Sequence, residues 1–394
     1  MTLNSWIAEN EAELIAVRRD LHAHPELGHV EHRTTELLLR RLRQAGLSPM
    51  ALPKGTGLIC DVGAGEPLVA LRADIDALPL PDTKSVPYKS TVDGVCHACG
   101  HDAHTAIALG AALALAEMAD LPGKVRFVFQ PAEEQMPGGA LDVLAAGVLA
   151  GVREIYALHC DPRLAVGMVG VRSGPITAAA DWVEISLSGP GGHTSRPHLT
   201  VDTVYALGRL ITDLPGLLTR TVDPRSGLSL VWGAVNSGVA FNAIPQTGIL
   251  RGTVRILDSA AWHDAEKVVR RLVDEIVAPT GAVAEVEYAR GVPPVVNEPA
   301  AAETLRTGIV EALGDSGVTD TPQSMGGEDF GWYLEGSAEA GGRTGGMRGA
   351  LARLGVYGGG RQYDLHQGSF DIDERAIAVG VRVLVHTALT ALRG

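Results

Sequence analysis

The chain has 394 residues, 46% hydrophobic and 20% charged, with a net charge of −13. That length exceeds one ordinary core, so two domains are expected, and the acidic balance argues against a nucleic-acid partner. No stretch reaches the ~18 apolar residues of a membrane span. Residues 1–14 lack a basic-then-apolar leader, and four cysteines (Cys60, Cys96, Cys99, Cys160) are too few for a disulfide scaffold; together these point to the cytoplasm.

Residues 3–46 read as helical, with Asn4 as a possible cap and Gly46 closing a second segment. Residues 58–62 and 68–73 read as strands, the second buried and followed by Asp74 and Asp76. His97-Ala-Cys-Gly-His-Asp102 then opens a helix over 101–118. Residues 124–130 alternate as a strand that Pro131 stops, and Glu133-Glu134 follow. A helix at 140–150 leads to a strand at 154–158, ending at His159. Alternating strands and helices imply a mostly parallel sheet covered on both faces. In such sheets ligands bind beyond the carboxyl ends of strands. Asp74/Asp76, Glu133/Glu134 and His159 all follow strand ends, near the Cys99 segment.

The pattern changes after Gly174. Strands at 182–188, 228–235, 247–256 and 283–288, with helices at 200–218 and 259–277, spell β-α-β-β-α-β, a ferredoxin-like unit. The expected division is a catalytic domain over 1–174 and 293–394 with an inserted domain over 175–292. The second part holds a helix at 300–313, a glycine-rich stretch at 336–346 read as a surface loop, and a final helix from Asp373.

Thiol and imidazole groups are ligands for borderline-soft metals such as zinc. An isolated Cys99-x-His101 is more readily a half-buried thiol beside a surface histidine than a metal site. The acidic pair and His159 at the same sheet edge favour a metal site. Adjacent carboxylates repel unless a cation compensates, and Glu133 and Glu134 divide naturally between metal and proton work, though their residue types do not say which does which. His366 stands in a distant loop. His104 reads as supporting, and His22, His24, His29 and His32 as an ordinary helix end and loop.

His97-Ala-Cys-Gly-His-Asp-Ala-His-Thr105, Gln130-Pro-Ala-Glu-Glu134, Leu158-His-Cys160, Gly191-Gly-His-Thr-Ser-Arg-Pro-His198 and Gly326-Gly-Glu-Asp-Phe330 occur in that order. Leu71-Arg-Ala-Asp-Ile-Asp-Ala-Leu-Pro79 precedes them, and Gly252-Thr-Val-Arg255 and Asn242-Ala-Ile-Pro245 fall in the inserted domain. From about His22 to Phe370 the chain resembles the amidohydrolase branch of the aminoacylase/carboxypeptidase-G-like di-metal hydrolases. Hippurate hydrolases, N-acyl-amino-acid amidohydrolases and auxin-conjugate hydrolases belong there. The resemblance implies an α/β di-metal catalytic domain with an inserted ferredoxin-like α+β lid and dimerisation domain. It implies two divalent ions per subunit (zinc, manganese, cobalt or nickel). Cys99 would be shared between them, and His101, Glu134, His159 and His366 would be the other ligands. Glu133 would be the general base and His193 the oxyanion stabiliser, often supplied across a dimer interface. Asn242 and Arg255 would touch substrate, an N-acyl amino acid or peptide-like molecule. A strand-end salt bridge would explain Arg255 equally well.

Cys96 stands where this family often has Met, and Thr194-Ser195-Arg196 are more polar or bulky than usual; these bear on specificity, not on the reaction. The expected reaction is metal-dependent hydrolysis of the amide to a carboxylic acid and a free amino acid. A dipeptidase or carboxypeptidase on the same site is the nearest alternative, and a cysteine amidase with Cys99 as nucleophile a further one.

Overall fold

The computed structural model describes residues 2–66, 68–118, 120–335 and 346–394. The stretch read as a loop at 336–346 lies outside them except for Gly346. By contact the chain divides into two units: Met1–Ile176 with Asn297–Pro322 and Asp329–Gly394, and Thr177–Val296 with Gln323–Glu328.

The first unit is built on an eight-stranded sheet. Its order is Met50–Ala51, Leu58–Gly63, Lys124–Gln130, Leu68–Asp74, Val152–Ala165, Arg348–Tyr357, Val169–Val171, Val318–Asp320. The four strands from Lys124–Gln130 to Arg348–Tyr357 are parallel to one another, and the antiparallel pairings lie to either side. Every residue of Leu68–Asp74 is buried, as expected of a strand covered on both faces. Helix His101–Ala116 is buried nearly all round and packs between Leu3–Ala23 and Arg375–Arg393. The last of these is long and apolar enough to cross a membrane by length and composition, and most of it is buried in the core.

Several local expectations are refined. The residues read as one helical region form two helices, Leu3–Ala23 and His32–Gln44. Thr2, not Asn4, caps the first, exchanging hydrogen bonds with Ser5 in a capping box. Gly46 does close the second: at φ +77° it allows the Gly46 and Leu47 amides to reach the carbonyls of Arg43 and Leu42. The strand expected to stop at Leu158 runs on to Ala165, so His159 lies inside it. The reason is its neighbour Arg348–Tyr357, a buried strand that the sequence pattern does not mark. That strand pairs with Val152–Ala165 beyond His159, with Arg353 opposite His159 itself.

Register brings the key loops together. Asp74 is paired with Gln130, so two parallel strands end side by side and the turns after them, 75–76 and 131–134, are adjacent. Arg72 pairs with Ala157, two residues short of His159.

The second unit carries a four-stranded antiparallel sheet in the order Ser229–Ser237, Thr247–Ile256, Ala179–Ser188, Val283–Val292. Helices Thr203–Thr221 and Ser259–Val277 complete the β-α-β-β-α-β order. Asp202 and Asp258 cap them by accepting the amides of Tyr205 and Ala261. Burial alternates along Ala179–Ser188 and Thr247–Ile256, the mark of a sheet with one covered face.

Candidate metal centre

The centre lies wholly within the first unit. Gly100, at φ +90°, joins Cys99 to His101 at the mouth of the central helix. A side chain there would meet the Cys160 Sγ at 2.8 Å, so only glycine admits both the left-handed turn and the close approach. The turn presents Cys99 and His101 to the sheet edge. The Cys99 Sγ lies 3.5 Å from His159 Nε2. His101 Nε2 lies 3.9 Å from both Glu133 Oε2 and Glu134 Oε1. Glu134 Oε1 lies 3.2 Å from His366 Nε2.

Two groups of ligand atoms meet on one sulfur. Cys99, His101 and His159 form one, and Cys99, Glu134 and His366 the other, each with its ligand atoms within 4.8 Å of one another. Sulfur, imidazole nitrogen and carboxylate oxygen in this proportion suit zinc-like ions. An independent observation tests the fit. His101 Nε2 is buried and makes no hydrogen bond among the described residues, a costly state unless a further partner is supplied.

The surrounding groups fix which ring nitrogen faces the centre. His101 donates from Nδ1 to the backbone carbonyl of Asp76 at 3.0 Å, with the Asp76 carboxylate at 3.2 Å. His159 donates from Nδ1 to the Cys160 carbonyl at 2.8 Å. Each leaves Nε2 as the ligand atom, the arrangement metal-binding histidines generally use. The other Asp76 oxygen, Oδ2, accepts the Glu134 amide at 3.0 Å. His104 bridges two strands by donating to Asp74 at 2.6 Å and accepting the Cys160 amide at 2.8 Å. Arg72 ties Asp74 to Asp329, each at 2.6 Å.

Electrostatics differ among these groups: against burial, Asp74 holds His101, and Glu134 holds His366, above the usual histidine range, so a metal bound there must displace a proton. Burial, then Arg353 and His104, hold His159 well below the usual histidine range, so its imidazole is neutral. Burial and the Glu134 charge push the Cys99 thiol well up. A thiolate here needs a cation beside it.

Behind the helix start, Asp102 accepts from Arg18 Nε and His22 Nδ1, each at 2.7 Å. Burial opposes the charge of His22, and Asp102 outweighs it, raising the imidazole to about 10. His22 thus lies at a helix end as expected, in the last turn of Leu3–Ala23, and is buried there. Lys84 holds Asp82 at 3.1 Å and the Cys96 Sγ at 3.6 Å, so Cys96 belongs to this packed network. His97 is buried too, and burial drives its imidazole down to about 3.

His193, Asn242 and Arg255 lie in the second unit. Residues 192–193 pair with 243–244, which sets His193 opposite Ala243, next to Asn242. The Ser195 amide donates to His193 Nδ1 at 3.1 Å, so Nε2 carries the proton and is a hydrogen-bond donor. Arg255 makes no ion pair among the described residues, and burial lowers its pKa. The roles of Asp76 and His22 escape sequence reasoning because both act through atoms that only the folded chain brings near. The Asp74-x-Asp76 spacing after a buried strand is the one available signal.

The family described as peptidase family M20/M25/M40 matches residues 70–390. The chain is 48% identical over 395 residues to a Rhodococcus jostii protein named putative glutamate–cysteine ligase 2-3, covering all of this chain and 48% of the relative. It therefore spans about half that relative's length. It is 38% identical to the N-acetyl-L-cysteine deacetylase of Bacillus subtilis, over 93% of this chain and 85% of the relative. Among solved structures, the YXEP protein of Bacillus subtilis, named a dinuclear metal binding peptidase from the M20 family, superimposes with a TM-score of 0.82. It is 34% identical and covers 98% of this chain and 99% of its own.

Proposed function

The chain belongs to peptidase family M20/M25/M40, and on that premise we propose that it is a di-metal amidohydrolase cleaving N-acyl amino acids to a carboxylic acid and a free amino acid. The observation that carries this reading is the pair of ligand groups sharing Cys99, with Glu133 beside them. Cys99, His101, Glu134, His159 and His366 would hold the ions. When bound, two divalent ions polarise the scissile carbonyl and acidify water. Glu133 takes the proton from the attacking water and delivers it to the departing amine. His193, of this subunit or a partner, donates from Nε2 to the oxyanion. Asn242 and Arg255 would contact the substrate; a half-buried arginine with no ion pair among the described residues is suited to a substrate carboxylate.

The Bacillus relative is named for N-acetyl-L-cysteine, so N-acyl-cysteines head the substrate panel. A homodimer through the second unit is part of the same reading. It is supported by the exposed Val231 and Val235 on edge strand Ser229–Ser237, and by Val239 and Phe241 beyond it. A cytoplasmic location is supported by four cysteines that are all buried and unpaired.

The Cys99–His159 contact at 3.5 Å favours one rival, a cysteine amidase. Such a nucleophile needs a depressed pKa, and Cys99 is pushed the other way. The deciding experiment measures amine release from N-acetyl, N-benzoyl and long-chain acyl amino acids and from dipeptides, with metal analysis of the same sample. Zinc, manganese, cobalt and nickel are each tried. Chelation should abolish turnover and metal return should restore it; turnover that survives chelation would move the assignment to Cys99. Preference for dipeptides with a free α-amine would favour a peptidase. Glu133→Ala should keep two ions and lose turnover by roughly 10²–10⁴-fold.

A further inference from the structure

Glu31 is a fully buried carboxyl group in the first unit. It stands at the start of helix His32–Gln44, yet its side chain does not cap that helix. Instead Oε1 accepts the amide of Ala132 at 2.7 Å, while Oε2 has no hydrogen-bond partner among the described residues. Burial, aided by the charge of Asp76, pushes this carboxyl up to about 7. Residue 31 lies outside the stretch that the family description matches.

Ala132 immediately precedes Glu133-Glu134 and has φ +54°. A side chain in the left-handed region is strained, so its surroundings must hold it there. Two partners do. Its amide is taken by Glu31, and its carbonyl accepts the Gly139 amide at 2.9 Å. The neighbouring chain is fastened at the same place. The Ala77 amide donates to the Glu26 carbonyl at 2.8 Å, and Gln135 Nε2 donates to the Gly28 carbonyl at 3.0 Å. Residues 26–31 therefore brace both turns at the sheet edge, the one with Asp76 and the one with Glu133 and Glu134.

We propose that Glu31 is a positioning residue for the hydrolysis: by holding the Ala132 amide it keeps that residue left-handed and sets Glu133 against His101. A strained backbone held by one buried side chain is a way to fix a reacting group without touching substrate. The inference rests on the assignment of Glu133 as base.

The test is steady-state kinetics on the metal-loaded protein with a substrate that the wild type hydrolyses. Glu31→Ala should lower kcat by about tenfold or more, since a base displaced by an ångström can cost that much. KM should stay within about twofold and two ions should remain bound. Glu31→Gln keeps an oxygen in place and should restore most of kcat. Glu31→Asp withdraws the carboxyl by one methylene and should lose kcat as Glu31→Ala does. If the alanine variant does not fold, the glutamine and aspartate variants carry the comparison. Wild-type kcat in Glu31→Asp, equal loss in Glu31→Gln and Glu31→Asp, or a loss confined to KM or metal content would each overturn the proposal. Glu133→Gln, run alongside, separates the two readings. Retained turnover there removes the base assignment; lost turnover there with a normal Glu31→Asp removes only the role of Glu31.

Discussion

At the scale of single residues, the centre depends on groups that do not themselves face a metal. Asp76 is the clearest, since it orients His101 with one oxygen and holds the Glu134 amide with the other. Removing such a partner typically weakens metal affinity by about 10–100-fold. Asp76→Ala should therefore bind the ions that much more weakly in chelator competition; unchanged affinity would show that the backbone carbonyl alone orients His101. His22 makes a pH prediction. Its folded pKa is raised from 6.5 to about 10, so the folded protein binds the extra proton. The stabilisation is complete below pH 6.5 and is lost as pH rises through about 10. Thermal stability of the wild type should fall more steeply over that window than that of His22→Gln. Parallel curves would mean that Asp102 is held by Arg18 alone. Cys99, His101 and the acidic pair are legible in sequence because their types and spacing carry the chemistry. Asp76 and His22 are not, because a carboxylate or an imidazole declares its partner only in the fold.

At the scale of elements, the site is a consequence of where strands stop and one helix starts. The pairing of Asp74 with Gln130 puts two turns side by side. The helix mouth at Gly100 then delivers Cys99 and His101 to the same edge. Gly100→Ala should destabilise the protein by about 1–3 kcal/mol through the left-handed backbone alone, with the clash against Cys160 added to that. Denaturant unfolding of the metal-free form checks it; a variant as stable as the wild type would mean that the helix start relaxes freely. The strand Arg348–Tyr357 shows the limit of pattern reading. Its residues are nearly all buried, so neither alternation nor a polar face marks it. Its place beside Val152–Ala165 is what carries that strand past His159.

At the scale of the molecule, the two units carry different sheets. The parallel core of the first unit gathers the proposed ligands from segments as far apart in sequence as Cys99 and His366. The antiparallel second unit leaves an apolar edge strand exposed. Exposed edges invite pairing with another chain. Val235→Asp should shift a dimer to monomer in light scattering while leaving circular dichroism unchanged. A monomeric wild type, or a variant that stays dimeric, would remove the second-unit edge from the assembly.

The sequence by itself determined the parallel α/β core and the β-α-β-β-α-β order of the second unit, because hydrophobic periodicity is a local property; the two-ion hydrolase reading came from the resemblance that its motifs carry. Tertiary structure decided that one sulfur joins two ligand groups, which imidazole nitrogens face them, and that His159 sits within a strand. It also decided that Asp76 and Glu31 brace the site. These are matters of register and burial, set by strands paired across as many as 194 residues, Glu154 with Arg348, and apart from the Asp74-x-Asp76 spacing no local pattern in the chain marks them.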